Sequence, residues 1–511
     1  MFPNTEDEVM PTISAINSNA SSPPLRHPDK LFIGGKWINA SSDAKFSVIA
    51  PHTEDVYVTV AEAGRSDINK AVAAARAAFD HGPWPSLSHA ERAKYLHAIA
   101  ERLRARAGDM AEIWPNEMGV TSAFAQAHMP RIADIYDFYA TLGGSFGFEE
   151  QHQTSSGVGK GLLVREPVGV VGASIPWNAP AMLIAYKLAP ALIAGCTVVL
   201  KSSPEAPGMA LIVAEAAEDV GLPAGVLNVV TADRDASDAL VRNQSIDKIT
   251  FTGSSAVGKH IASVLAERVG RFTLELGGKS AAVILEDYDV ETAAKILAAA
   301  ATQMTCQVCA ALTRIIVPKS RHDQFLDALG AAYSAVKVGS PFDPETQMGP
   351  VATFRQRERV ESYINKGKEA GFTLAAGGRR PPHLPRGYFI EPTVFGNVDN
   401  GSVLAQEEIF GPVLAVIPAE SEARAIEMAN DTVYGLSGAV FTNDVDGAYA
   451  VARQLRTGTV AHNGFRNDFG IAFGGFKQSG IGREGGIEGL MPYLETKTLL
   501  LDSLPSKHLK S

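Results

Sequence analysis

From Val168 onward the chain alternates short β-rich runs with helical stretches of about 10–15 residues, and few folds besides a parallel, doubly wound α/β sheet accommodate that alternation. VGVVGAS (168–174), CTVVL (196–200), VLNVVT (226–231) and DKITFT (247–252) read as strands. Residues 179–194, 206–220, 236–242 and 255–269 read as the helices that alternate with them. Such a sheet opens its ligand crevice at the carboxyl ends of its strands. A second α/β pattern follows, with strands at AAVILED (281–287), TRIIVP (313–318) and VLAVIP (413–418) and helices at 290–301 and 321–336. Helical periodicity also runs through 67–79 and 89–107, while the Pro- and Gly-rich 377–388 reads as a surface excursion. The expected architecture is two α/β units with an active site at their seam.

With 46% hydrophobic and 20% charged residues, the 511-residue chain can bury large cores over two or three domains. A net charge of −10 argues against a nucleic-acid surface. Only Cys196, Cys306 and Cys309 carry thiols, so a disulfide framework is not expected and a reducing, cytoplasmic location is. Residues 1–28 lack the basic start and apolar core of a secretory signal and read as a mobile tail. The longest apolar tract, 167–200, is interrupted by Pro176, Pro180, Pro190 and Lys187, which makes it buried globular structure rather than a membrane span. The terminal SKHLKS is not a targeting tripeptide.

Several short segments carry groups suited to chemistry. FTGSSAVG (251–258) joins a strand to a helix, where Gly253 and Ser254 would let a helix N-terminus meet a phosphate, although such a turn is more often plain turn chemistry and capping. Lys201 ends a strand, as a ligand-facing cation or a solvated lysine. TCQVCAA (305–311) holds Cys309, either a nucleophile or a buried structural thiol; no second cysteine pair supports a metal site. LELGGKS (274–280) sets Glu275 among apolar neighbours, where a carboxylate is either paired or tuned upward for general-base work. SIPWNAP (174–180) puts Asn178 at the sheet's carboxyl edge, or simply in a turn.

PWN, FTGS, ELGGKS, the Q-x-C of CQVC, EEIFGPV (407–413) and FGGFKQSG (473–480) follow one another in the order and at near the intervals of the aldehyde dehydrogenase superfamily, which the chain resembles over about 31–501. The resemblance implies Cys309 as nucleophile, Glu275 as general base and Asn178 as oxyanion donor. It implies NAD⁺ or NADP⁺ bound by Ile175, Pro176, Trp177, Lys201, Ser203, Glu205, Gly253, Ser254, Leu276, Gly277, Glu408 and Phe410. It implies a dinucleotide-binding domain over 29–150 and 167–277, a catalytic domain over 278–481 and a small β oligomerisation arm from 151–166 and 482–511. A homodimer or homotetramer follows from that arm. Positions that resemble the aldehyde tunnel are Ala179, Leu183, Tyr186, Val308, Ala310, Phe469 and Phe473, so an apolar aliphatic or aromatic aldehyde is expected, with Arg466 and Asp468 near the mouth.

Three departures from the family pattern stand out. The acid of its Lys-x-x-Glu segment is replaced by Pro204, with Glu205 one place later; NAD⁺ is expected over NADP⁺ if Glu205 substitutes. TADRDAS (231–237) lacks the usual glycine. Cys306 replaces a common glycine and is expected to be inert and buried, a reversible 306–309 disulfide being the alternative. Two rival functions are a CoA-acylating dehydrogenase, which needs no activated water, and a catalytically silent protein on the same fold.

Overall fold

The computed structural model describes residues 23–506. Five parallel strands form the centre of an eight-stranded sheet, in the order Arg271–Glu275, Lys248–Thr252, Val170–Ser174, Thr197–Ser202 and Leu227–Thr231. All but Arg271–Glu275, whose first two residues are not buried, are almost fully buried runs, as expected of strands covered by helices on both faces. The chain starts at Val170–Ser174, adds strands to one side, then crosses back to add Lys248–Thr252 on the other. Between these two strands the winding reverses, and a ligand crevice opens there. Antiparallel Leu31–Ile33 and Lys36–Ile38 extend one edge, and Gly480–Ile481 pairs with Arg271–Glu275 on the other.

A seven-stranded sheet has six parallel strands, ordered Thr393–Gly396, Val413–Ala419, Leu312–Pro318, Ser280–Ile284, Ser437–Phe441 and Thr459–His462. Residues 276–279 are the whole of the first link between the sheets: Glu275 ends a strand of the first and Ser280 begins a strand of the second. The carboxyl edge of one sheet therefore meets the amino edge of the other, which is the expected seam.

The apolar strand Leu494–Leu501 pairs in full register with Lys160–Pro167, which pairs in turn with Glu149–Gln153. The helix expected at 89–107 spans His89–Ala105, and a second helix, Ala107–Met118, follows directly after Arg106. Residues 1–22 of the expected mobile tail, and residues 507–511 of the terminal SKHLKS, fall outside the described residues. Residues 23–28 are anchored rather than loose: the Arg26 backbone N–H donates to buried Glu215 (2.7 Å), and its guanidinium pairs with Glu218 and Asp219. Among the described residues no helix is long and apolar enough to cross a membrane.

Candidate active site

Cys309 belongs to the connection between the helix Val290–Thr302 and the strand Leu312–Pro318. Three successive residues there, Met304, Thr305 and Cys306, have φ of 51°, 54° and 56°, a left-handed run costly for side chains of this size. Outside contacts hold it. Thr305 Oγ1 donates to the carbonyls of Gly349 and Pro350 (3.1 and 3.2 Å), and buried Gln307 donates to the Met304 carbonyl and accepts from Ala352 N–H. The turn sends the two thiols to different surroundings. Cys306 is buried in the second sheet's core, where Tyr333 and Lys279 face it. Cys309 is partly accessible and faces Glu408 and Glu275. Both thiols are free. Burial, then the charges of Glu408 and Glu275, push the Cys309 thiol up to about 12, while the backbone N–H groups of Ala310 and Cys309 oppose the shift.

Glu275 is 2% exposed, and neither carboxylate oxygen has a hydrogen-bond partner among the described residues. Burial and the nearby charge of Glu484 raise its pKa well above the ordinary carboxylate value, with Lys187 and Arg483 pulling the other way. Lys187 and Glu484 form a buried ion pair behind it, and Lys187 also donates to Thr252 Oγ1 (2.5 Å). Sequence reasoning missed both residues, because Lys187 reads as a break in an apolar helix and its partner is 297 positions away. The space beside Glu275 requires glycine at 474, where a Cβ would come within 2.6 Å of Oε1.

Asn178 is buried at the crevice. Its Nδ2 donates to the Gln307 carbonyl (2.9 Å), and its own carbonyl accepts from Trp114 Nε1 (2.9 Å). An amide carries two N–H donors, so one Nδ2–H remains. Gly278 packs where a Cβ would come within 2.4 Å of the Cys309 carbonyl, so the Glu275 and Cys309 segments touch backbone to backbone.

The residues expected around a dinucleotide gather at the winding reversal. Ile175, Pro176 and Trp177 follow one strand; Gly253 and Ser254 follow the next, with Ser254 capping the helix Ser255–Ala266. Gly258 of that helix packs on Leu276, leaving no room for a Cβ (2.5 Å). The Lys201 ammonium has no hydrogen bond or ion pair among the described residues; burial lowers it to about 8 against the charges of Glu205 and Asp233. Ser203 donates to Glu205, and Arg355 approaches Glu205 at 3.8 Å. Glu408 accepts from Gly278 N–H (3.1 Å), burial lifts its carboxyl to about 7, and Gly277 passes too close to it for a side chain. Phe410 meets Trp177 edge-on (5.4 Å between ring centroids) and carries an unusual φ of 63°.

One face of the helix Phe354–Glu369 grips that loop. Gln356 donates to the carbonyls of Ile409 (3.0 Å) and Phe410 (2.7 Å), Arg359 to those of Glu408 (2.5 Å) and Ile409 (3.3 Å), and Tyr363 to Glu407. The spacing 356, 359, 363 is a helical face readable in the sequence, although its purpose is not.

Beside the thiol segment a cavity of about 910 Å³ is lined by Ala179, Tyr186, Val308, Phe469 and Phe473 and by Trp114, Phe124, Met129, Met182, Met304 and Phe465. Leu183 and Ala310 are not among its lining residues, which corrects that expectation. On the helix Pro180–Ala194 the face made by Ala179, Met182 and Tyr186 looks into the cavity, and Leu183 is turned one position away into the core. Ala310, 1% exposed, is likewise packed inward.

A doubly wound sheet whose carboxyl edge brings a thiol, a buried carboxylate and a pinned amide to a second α/β unit defines a class of oxidoreductase, and comparison with known proteins agrees. Residues 37–499 match the Aldehyde dehydrogenase family, and the chain belongs to that family. Geranial dehydrogenase of Castellaniella defragrans is 40% identical over 92% of this chain and 98% of its own. Betaine aldehyde dehydrogenase of Bacillus subtilis is 41% identical over 93% and 98%. An aldehyde dehydrogenase of Mycobacterium tuberculosis solved with NAD⁺ superposes with a TM-score of 0.91 at 44% identity, covering 94% of this chain and 99% of that one.

Proposed function

We propose that the protein oxidises an apolar aldehyde to a carboxylic acid through a thioester on Cys309, using NAD⁺ in preference to NADP⁺, in the cytoplasm and as a homo-oligomer. The observation that carries this reading is the meeting at one seam of an accessible thiol, a carboxylate with both oxygens unpaired, and an amide with a donor to spare.

The residues present fit a dinucleotide. A helix N-terminus opens at the winding reversal, close glycine packing brings backbone to it, and Lys201 holds an ammonium with no partner of its own. Ile175, Pro176, Trp177, Lys201, Gly253 and Ser254 would hold the adenosine and phosphates, with Leu276, Gly277, Glu408 and Phe410 at the far end. Glu205, tied to Ser203 and reaching toward Arg355, supplies a carboxylate at the ribose end, which disfavours a 2′-phosphate. Bound there, the nicotinamide supplies the hydride acceptor.

Cys309 must lose its proton to add to the carbonyl carbon, and Glu275 is the neighbouring base. The oxyanion that forms is met by the Cys309 backbone N–H and the second Nδ2–H of Asn178; one such donor is worth about 10²–10³ in rate. Oxidation leaves a thioester on Sγ. Glu275 then takes a proton from the water that cleaves it, with the Lys187–Glu484 pair behind setting its charge. Thiol and carboxyl are both shifted upward, so the rate is expected to rise into the alkaline range. Relatives named for geranial and betaine aldehyde differ in substrate, so the apolar preference rests on the aromatic and methionine walls of the cavity.

Turnover of octanal with NAD⁺ and with NADP⁺ tests this. Cys309→Ala should abolish turnover, and Glu275→Gln should slow it by about 10²–10⁴. Undiminished activity in Cys309→Ala, or a requirement for added CoA, refutes the mechanism; faster turnover with NADP⁺ refutes the cofactor preference.

A further inference from the structure

The cavity beside Cys309 is apolar in its depth and charged at its rim. Its buried lining includes Met129, Ile132, Ala179 and Tyr186, whereas His128, Arg131, Arg466 and Asp468 are exposed. Arg131 ends the short 3-10 helix Met129–Arg131 and Arg466 follows the strand Thr459–His462, and both line the same cavity. Neither guanidinium has a hydrogen bond or ion pair among the described residues, although most other arginines in the chain do. The rim's one carboxylate, Asp468, turns an oxygen onto the Gly470 N–H (2.7 Å) of its own loop. Two unpaired cations lining the exposed part of one apolar cavity match a ligand with a hydrocarbon body and an anionic far end.

Building on the aldehyde-oxidising reading above, and keeping the apolar body it assigns to the substrate, we propose that the preferred substrates within that class are ω-oxo carboxylates: an aldehyde at one end, a hydrocarbon chain in the cavity and a terminal carboxylate at the rim that carries Arg131 and Arg466. Oxidation of the aldehyde end would give a dicarboxylate. The reaction supplying such a substrate is one that oxidises the ω-carbon of a fatty acid, or cleaves its chain, to the aldehyde level. The rim is solvent-exposed, so its contribution is moderate and screened by salt.

The test compares kcat/KM for octanal, 8-oxooctanoate and methyl 8-oxooctanoate, with oxo acids of about six to ten carbons covering chain length. At low salt the acid is expected to exceed its neutral ester by about threefold or more, and the ratio to shrink as sodium chloride is raised. In Arg131→Gln and Arg466→Gln the acid-to-ester ratio should fall toward one. Thermal unfolding and circular dichroism should match the parent, since neither side chain bonds to the fold. An ester as good as the acid at every length, or arginine variants that leave the ratio unchanged, overturns the proposal. Turnover of octanal without preference for the acid defeats this inference alone; no turnover of any of the three defeats the aldehyde reading and this inference with it.

Discussion

The placement of Glu275 costs the fold stability for what it would contribute chemically. A carboxylate 2% exposed with two unpartnered oxygens is disfavoured once it ionises, and Glu484 adds to the penalty. Because its folded pKa is raised above the ordinary 4.5, the protonated acid is comfortable in the fold and the charged form is not. Its stability contribution is therefore full below the unfolded pKa and lost as pH climbs through the raised folded value. Glu275→Gln keeps the shape and cannot ionise. It is expected to match the parent near about pH 5 and to become more stable by about 1–3 kcal/mol toward about pH 9, while losing hydrolysis. Thermal unfolding across that range decides it; a pH-independent gap would show that the carboxylate is satisfied in a way the geometry does not reveal. Glu275 was legible in the sequence from its apolar neighbours, but Lys187 and Glu484 were not. An ammonium inside an apolar helix looks like an interruption until the fold brings its carboxylate to it.

At the scale of elements, the apolar β-branched runs found their strands to within a few residues: VLNVVT became Leu227–Thr231 and TRIIVP became part of Leu312–Pro318. The helix Phe354–Glu369 went unread. Its sequence is mostly charged, and what it grips lies some fifty residues further on, a relation no local pattern carries. Yet this helix fixes the loop of Glu408 and Phe410. A left-handed phenylalanine costs roughly 1–2 kcal/mol, and donors from Gln356 and Arg359 hold the carbonyls around it. Arg359→Ala removes the guanidinium's hold on the Glu408 and Ile409 carbonyls. The loop should loosen, and the Kd for NAD⁺ by calorimetry should rise by about 5–30-fold with little change in melting temperature. Arg359→Lys should rescue only in part, since an ammonium cannot reproduce the guanidinium fork. Unchanged binding in Arg359→Ala would mean that the loop holds its shape unaided.

At the scale of the whole molecule, the three-stranded sheet is the part that the two α/β units do not explain. The strand Leu494–Leu501 spends one edge on Lys160–Pro167; its other edge pairs with no strand among the described residues, and Leu500 stands 74% exposed. The family resemblance implied a β arm from 151–166 and 482–511; the structure pairs the two segments with each other and leaves an edge. A long open edge with exposed leucine invites pairing with another chain unless something covers it. The strand also leaves directly from Tyr493, whose carbonyl accepts from the Val168 N–H, so it is rooted in the first sheet rather than free to fold away. A second copy of the chain covering this edge explains both features. Sedimentation velocity should then show the parent as a dimer or tetramer at micromolar concentration. Leu500→Lys, which places a charge on the edge and disturbs no buried contact, should shift it toward monomer with unchanged circular dichroism. A monomeric parent, or a variant that assembles like the parent, would mean that the edge is covered by something other than a second subunit or is not an interface at all.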